Sequence, residues 1–93
     1  MNQYVLTLLI KPDVEEKSRK ELLETIKGKV EKDKGKVTKE DLWGNRDLTY
    51  PIKKQTSAYY AHFEFEANPG DISSLDKSLK LEEDILRYLL IRR

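Results

Sequence analysis

The sequence predicts an α+β fold whose elements follow the order β-α-β-β-α-β. Residues 4–10 are apolar on both faces of a strand, which indicates a central strand that is covered on both sides. Two later segments carry apolar residues at helical spacing. Pro51 stands in a long strand-like segment, where its missing N–H group suits only a sheet edge. This order is the split βαβ, or ferredoxin-like, pattern, in which two helices cover one face of a four-stranded antiparallel sheet.

The first helix follows the first strand directly. Asp13 and Glu16 have the spacing of a capping box, which predicts a helix start. Apolar residues then recur at helical spacing, namely at Leu22, Leu23, Ile26 and Val30. Gly35 is expected just past the helix end, as its C′ residue.

A long edge strand and its return strand occupy the middle of the chain. Residues 36–52 form the second strand, which is longer than its expected neighbours, so part of it should overhang the sheet. Gly44 indicates a bend or a bulge in this strand. A polar turn at residues 53–57 leads to a third strand at residues 58–67. Its two faces carry Tyr59, Ala61, Phe63 and Phe65 on one side and Tyr60, His62, Glu64 and Glu66 on the other.

A second helix and a fourth strand complete the pattern. Asn68 and Pro69 have the residue types of an N-cap and a first helical position, and Ile72, Leu75 and Leu79 follow as one buried stripe. Residues 85–92 form the fourth strand. We expect residues 1–93 to be a single domain.

The composition limits the classes of function. The 18 Lys and Arg residues nearly balance the 17 Asp and Glu residues, so RNA binding would need a local basic patch or a partner that supplies cations. The longest apolar run, at residues 5–10, is too short for a membrane span and lacks the flanks of a secretion signal, so a soluble cytoplasmic protein is expected. Without Cys there is no disulfide or thiolate metal site.

The sequence predicts no enzyme, no cofactor and no metal site. His62 is the only His, and no motif places a nucleophile beside a base. Glu64 and Glu66 share its predicted face, but a zinc site needs a third protein ligand. Because the same fold also hosts small hydrolases and sensors, the fold alone would not decide the function.

One sheet face is predicted to have no helix on it and to bind a protein or an RNA. The candidate partner-binding residues on this face are Val5, Thr7, Leu9, Tyr60, His62, Leu89 and Ile91. The alternative is that these residues are small, scattered and partly shielded from solvent by long side chains, and bind no partner. The candidate RNA-binding residues are Arg46, Lys53, Lys54, Lys80, Arg87, Tyr88, Arg92 and Arg93, since arginine can fork onto phosphate and stack on bases. The alternative is solvated surface charge, with Arg46 paired to Asp47 or Glu40 and Trp43 in a corner of the core.

Residues 43–54 read Trp-Gly-Asn-Arg-Asp-Leu-Thr-Tyr-Pro-Ile-Lys-Lys. This segment resembles the Trp-Gly-x-Arg-x-Leu-x-Tyr-Pro-Ile-x-Lys signature of bacterial ribosomal protein six of the small subunit, and the likeness extends along the whole chain. The residues that match the signature or the family's final-strand pattern are Arg46, Tyr50, Pro51, Ile52, Lys53, Lys54, Arg87 and Tyr88. Asn45 and Asp47 depart from it where basic residues or neutral spacers are common, which weakens the case for phosphate contacts there. The chain also stops at Arg93, whereas many relatives carry a C-terminal extension.

The resemblance implies a structural component of the small ribosomal subunit, located on ribosomes in the cytoplasm. Such a protein would bind the central domain of small-subunit rRNA cooperatively with small-subunit ribosomal protein eighteen, as a heterodimer, and would be a monomer when isolated. The alternative is a ferredoxin-like module that homo-oligomerises and binds a small molecule between subunits. Such modules usually have a Gly-rich turn after the first strand, where this chain has Lys11, Pro12 and Asp13.

Overall fold

A computed structural model describes residues 2–93, and its elements follow the predicted order. They are β1 (Asn2–Ile10), α1 (Glu16–Glu31), β2 (Lys36–Ile52), β3 (Gln55–Ala67), α2 (Pro69–Leu81) and β4 (Ile85–Arg92), with a 3₁₀ turn at Lys32–Lys34. All strand pairs are antiparallel, in the order β2-β3-β1-β4, so β1 is central and Pro51 lies on an edge strand. The predicted fold class is confirmed. Across residues 2–93, the structure contains no helix with the length and apolarity that a membrane crossing requires.

Both helices pack on the same face of the sheet and form the core with it. The strands contribute Leu6, Leu8, Ile10, Phe63 and Phe65, while the helices contribute Leu22, Leu23, Ile26, Val30, Leu75 and Leu79. The rings of Tyr4 and Phe65 stack in this core at 5.6 Å. Burial of each large apolar side chain stabilises the fold by about 1.5–3 kcal/mol. The apolar stripes read from the sequence are therefore the stripes that hold the helices on the sheet.

The predicted capping box at Asp13 is wrong. Helix α1 begins at Glu16 with Glu15 at the N-cap position, and no side chain caps it. Asp13 lies two residues ahead of that cap, where its carboxylate cannot serve as the N-cap group. A backbone turn leads into the helix instead, in which the Val14 N–H donates a hydrogen bond to the Lys11 carbonyl.

Gly35 is also not the left-handed C′ residue of α1. Lys34 adopts the positive φ, at 71°, whereas Gly35 has a φ of −65°. Gly35 is required for a different reason. A Cβ atom there would lie 1.8 Å from the Val30 carbonyl oxygen and 3.1 Å from that of Glu66. The glycine therefore lets the end of α1 approach the chain as it enters the sheet.

Strand β2 is irregular, with three register shifts against β3. Gly44, at φ 79°, stands at the second shift, which confirms the predicted bend. At the third shift, Asp47 pairs with Ser57 and Ile52 pairs with Gln55. Residues 48–51 of β2 therefore stand opposite a single residue of β3 and bulge out of the strand pairing.

The turn of the β2–β3 hairpin is shorter than the predicted residues 53–57. It consists of Lys53 and Lys54, whose φ values of 48° and 67° are those of a type I′ turn. Strand β3 consequently begins at Gln55. Pairing with β1 extends only to Tyr59, so the tip of the hairpin overhangs the sheet as expected.

Candidate partner and nucleic-acid interface

The sheet face opposite the helices, here called the open face, brings the predicted partner-binding residues together. In register, Val5 lies between Glu64 and Ile91, Thr7 between His62 and Leu89, and Leu9 between Tyr60 and Arg87. No helix of the described chain packs on this face, and Leu89 and Ile91 are 58% and 47% exposed. The geometry thus assembles one surface from all seven predicted residues, while their role in partner binding stays a prediction.

Trp43 covers part of the open face, a placement that the sequence did not predict. Its indole stacks on Tyr60 at 6.0 Å and on His62 at 5.6 Å, with interplanar angles of 19° and 10°. It is 47% exposed, so the alternative that Trp43 fills a corner of the core is wrong. The register shift between Val37 and Lys39 explains the error, because a one-residue bulge exchanges the sheet faces on which the later residues of β2 lie.

A polar network lies beside this aromatic stack. His62 Nδ1 and Thr7 Oγ1 form a hydrogen bond of 3.1 Å, and His62 Nε2 is 3.6 Å from Glu64 Oε2. The Glu64 carboxylate also pairs with Arg93 and lies 3.9 Å from Lys39 Nζ. The Arg93 charge is therefore compensated within the chain, which leaves it less available to an RNA phosphate than the sequence suggested.

The overhanging end of the hairpin forms one wall of a pocket on the open face. The pocket has a volume of about 400 Å³ and is lined mainly by apolar and aromatic side chains, including Leu9, Leu48, Ile52, Tyr60 and Leu89. Arg87 also lines it. Its volume falls in the range of pockets that hold small ligands or single side chains of a partner.

Four of the eight predicted RNA-binding residues meet where the hairpin tip, the end of α2 and the start of β4 converge. Lys53, Lys80, Arg87 and Tyr88 line a concave surface of about 280 Å³, here called the basic concavity. Glu82 also lines it and reduces its positive charge. Residues that are distant in sequence thus form a local cationic site, which is what a chain of balanced charge needs to bind RNA.

Asp76 of α2 contacts both Tyr88 and Lys80 on the helix side of the sheet. The Tyr88 hydroxyl donates to Asp76 Oδ1 at 2.5 Å, and Lys80 Nζ lies 3.2 Å from Asp76 Oδ2. Burial, together with the hydrogen bond to Asp76, raises the pKa of Tyr88 to about 12. The same hydrogen bond, followed by that of Lys80, lowers the pKa of Asp76 below its ordinary value. The Tyr88 hydroxyl is therefore engaged by Asp76 and is not a free donor in the basic concavity.

Of the remaining predicted cations, Lys54 adjoins Lys53 in the hairpin turn, and the others do not line the basic concavity. Arg46 Nε donates to the Trp43 carbonyl at 3.3 Å and bridges the bulge, so it pairs with neither Asp47 nor Glu40. Glu40 pairs instead with Lys27 of α1. Arg92 faces Tyr4 and lies on the helix side of β4. The predicted RNA-binding residues are consequently spread over both sheet faces and do not form one continuous patch.

The site offers no arrangement of side chains for a metal ion. Over the described residues, no three His, Cys, Asp or Glu side chains are grouped closely enough to bind one. The chemistry available at these surfaces is apolar contact, aromatic stacking and ion pairing.

Known proteins resemble this chain over nearly its whole length. A family model described as Ribosomal protein S6 matches residues 3–92. The chain is 41% identical over 92 residues to the small ribosomal subunit protein bS6 of Acidothermus cellulolyticus, covering 99% of this chain and 96% of that relative. It is 39% identical to the protein of the same name from Alkaliphilus metalliredigens, with coverage of 99% and 97%. The crystal structure of 30S ribosomal protein S6 from Thermotoga maritima superposes with a TM-score of 0.93 at 29% identity, covering 99% of this chain and 87% of that one.

Proposed function

Because the chain belongs to the ribosomal protein S6 family of the small ribosomal subunit, we propose that its open face binds a partner protein and its basic concavity binds rRNA. The proposed partner is small-subunit ribosomal protein eighteen, and the proposed RNA is the central domain of the small-subunit rRNA. The family consists of structural ribosomal proteins and not of enzymes. The proposed location is therefore the ribosome in the cytoplasm.

The observation that carries the proposal is the exposure of Leu89 and Ile91 on a sheet face that no helix covers. They adjoin the half-buried Val5 and Leu9, so the apolar surface is contiguous across β1 and β4. Contiguous apolar surface on a soluble domain usually marks an interaction site. The pocket beside it would receive an apolar side chain of the partner as an anchor.

The RNA part of the proposal is supported by Lys53 and Arg87. Both are exposed, both line the basic concavity, and neither is in an ion pair with another residue of the described chain. Each cation that contacts a phosphate releases bound counterions, so binding should weaken as salt is raised. The partner would supply further cations, since this chain has a net charge of only +1.

Gel-shift titration of central-domain rRNA, with and without the partner, tests the proposal. We expect the partner to raise the RNA affinity about 5- to 150-fold, which is the usual size of coupling between two binding sites. Leu89→Ser should reduce this coupling, whereas Leu81→Ser should not, because Leu81 is equally apolar and 82% exposed but lies on α2. Arg87→Gln should lower RNA affinity more than Lys17→Gln on the exposed side of α1. Equal RNA affinity with and without the partner would refute the cooperative model.

The pocket on the open face also favours the alternative function, a homo-oligomer that binds a small molecule between subunits. Light scattering on the isolated chain separates the two. A monomer is expected for the ribosomal protein, and a tight dimer would support the alternative.

A further inference from the structure

We propose that Trp43 is a stacking platform for an unpaired nucleobase of RNA. This inference rests on the proposed RNA binding and names the chemical group that is bound and its place on the open face. One side of the indole packs on Tyr60 and His62 at 6.0 and 5.6 Å, yet Trp43 remains 47% exposed. The exposed area therefore belongs to the opposite side and the edges of the ring. A flat group can lie there and continue the stack.

The platform is held in place before any ligand arrives. Tyr60 and His62 fix the tilt of the indole to within 19° and 10° of their own rings. His62 is itself held by its hydrogen bond to Thr7, and the Trp43 carbonyl accepts a hydrogen bond from Arg46. A ring that is already ordered loses little conformational entropy when a base stacks on it. Aromatic side chains on the face of a four-stranded sheet are a common means of binding single-stranded RNA.

The charges around the stack favour a nucleotide as the occupant. The polar groups bonded next to it include three cations, Lys39, Arg46 and Arg93, and two carboxylates, Asp41 and Glu64. Both carboxylates are already in ion pairs with these cations, Asp41 with Lys39 at 3.5 Å and Glu64 chiefly with Arg93. Arg46 donates its Nε–H to the Trp43 carbonyl, which leaves the N–H groups at the outer end of its guanidinium able to donate to a phosphate. A base on Trp43 and its phosphate on Arg46 would be bound together.

The platform divides the open face between two ligands. Trp43 covers Tyr60 and His62, which the sequence assigned to the protein partner, so the β2 side of the face would contact RNA. The apolar surface of Leu89 and Ile91 lies on the other side, on β4, and stays available to the partner. Both ligands could then bind at once, as cooperative assembly requires.

The test uses the full chain and an eight-nucleotide single-stranded adenosine RNA as the probe. Trp43 is the only Trp, so its emission reports on this site alone. We expect saturable quenching by the single-stranded RNA and little quenching by an RNA duplex, whose bases are not free to stack. In an anisotropy titration with labelled RNA, Trp43→Ala should weaken binding roughly tenfold, the order of one lost base–aromatic stack.

Two further variants keep the test decisive. Leu42→Ala is the matched control, since Leu42 is the chain neighbour of Trp43, is also 47% exposed, and pairs with the core residue Ala61 on the helix side. It should bind the RNA like the unaltered chain. Trp43→Phe keeps an aromatic ring and should recover most of the affinity that Trp43→Ala loses, provided that circular dichroism shows both variants folded.

The outcomes separate this inference from the proposed function. Absence of quenching, or equal affinity for Trp43→Ala and Leu42→Ala, would overturn the platform. Quenching by protein eighteen alone, with none by RNA, would also overturn it and would assign the indole to the protein partner, leaving the proposed function intact. Quenching by RNA without any coupling to the partner would support the platform and refute the cooperative assembly.

Discussion

A single methyl group should destabilise the protein at Gly35 and stabilise it at Gly28. At Gly35 the added Cβ would lie 1.8 Å from the Val30 carbonyl oxygen and 2.9 Å from its carbonyl carbon. Both atoms are backbone in the last turn of α1, and the Val30 side chain is only 3% exposed, so relief requires moving the helix end and a core residue together. Overpacking of this kind costs about 1–3 kcal/mol.

Gly28→Ala is the matched control for Gly35→Ala. Gly28 lies inside α1, is exposed, and a Cβ there would meet nothing within 4 Å. Alanine should therefore increase the free energy of unfolding by about 0.8–1 kcal/mol, the difference in helix propensity. The two variants carry the same chemical change, so the unfolded state is affected similarly in both.

Urea and thermal unfolding, followed by far-ultraviolet circular dichroism, measure both variants. In a domain of this size, about 1 kcal/mol corresponds to a Tm change of roughly 4–8 °C. Gly28→Ala should raise Tm by about that amount, and Gly35→Ala should lower it by at least as much. A Gly35→Ala variant as stable as the unaltered chain would show that the helix end can move freely, and it would refute the role given to this close approach.

Three more predictions concern the interior and the turn. Because the folded state raises the pKa of Tyr88 to about 12 from 10.0, the folded protein keeps a proton that the unfolded chain loses. Unfolding free energy should thus fall between about pH 10 and 12, and this fall should disappear in Tyr88→Phe, as urea unfolding at several pH values would reveal. Lys54→Gly should raise the unfolding free energy by up to about 1 kcal/mol, since Lys54 has a φ of 67° that glycine adopts without strain, and a lower Tm would contradict this. Leu79→Ala should cost about 2–5 kcal/mol because Leu79 is 2% exposed, while Leu81→Ala, at an 82% exposed position, should change stability by less than about 0.5 kcal/mol.

The fold could be predicted from the sequence because burial of apolar side chains and backbone hydrogen bonding leave a recognisable local pattern in each element. The alternation and the edge-compatible Pro51 predicted β2 with the bounds Lys36–Ile52, which are confirmed. The stripe from Leu22 to Val30 predicted the buried side of α1, and all four of its residues are buried. Asn68 and Pro69 predicted the start of α2, which begins at Pro69.

The candidate site was less accessible from the sequence, since it depends on register and on contacts between distant segments. Trp43 was misplaced because the one-residue shift between Val37 and Lys39 changes the face on which the later side chains of β2 lie, and no Gly or Pro marks that shift in the sequence. Lys53 and Lys80 are 27 positions apart in the chain (80 − 53), and only the overhang of the hairpin brings both to the basic concavity. The pairing of Arg93 with Glu64 of β3 likewise could not be read from the sequence, since it reaches across β1, which lies between β3 and β4 in the sheet.

The two edges of the sheet differ in a way that limits how copies of this chain can associate. Along β2, three register shifts and Pro51 interrupt the row of outward amides, whereas β4 has one irregularity, near its start, and then runs regularly to Arg92. A foreign strand could extend the ladder beside β4 but would find no continuous template beside β2. If a strand can be added only at the β4 edge, association ends once the β4 edges of two molecules have paired with each other. Mispairing of this protein should therefore stop at dimers and not propagate into fibrils.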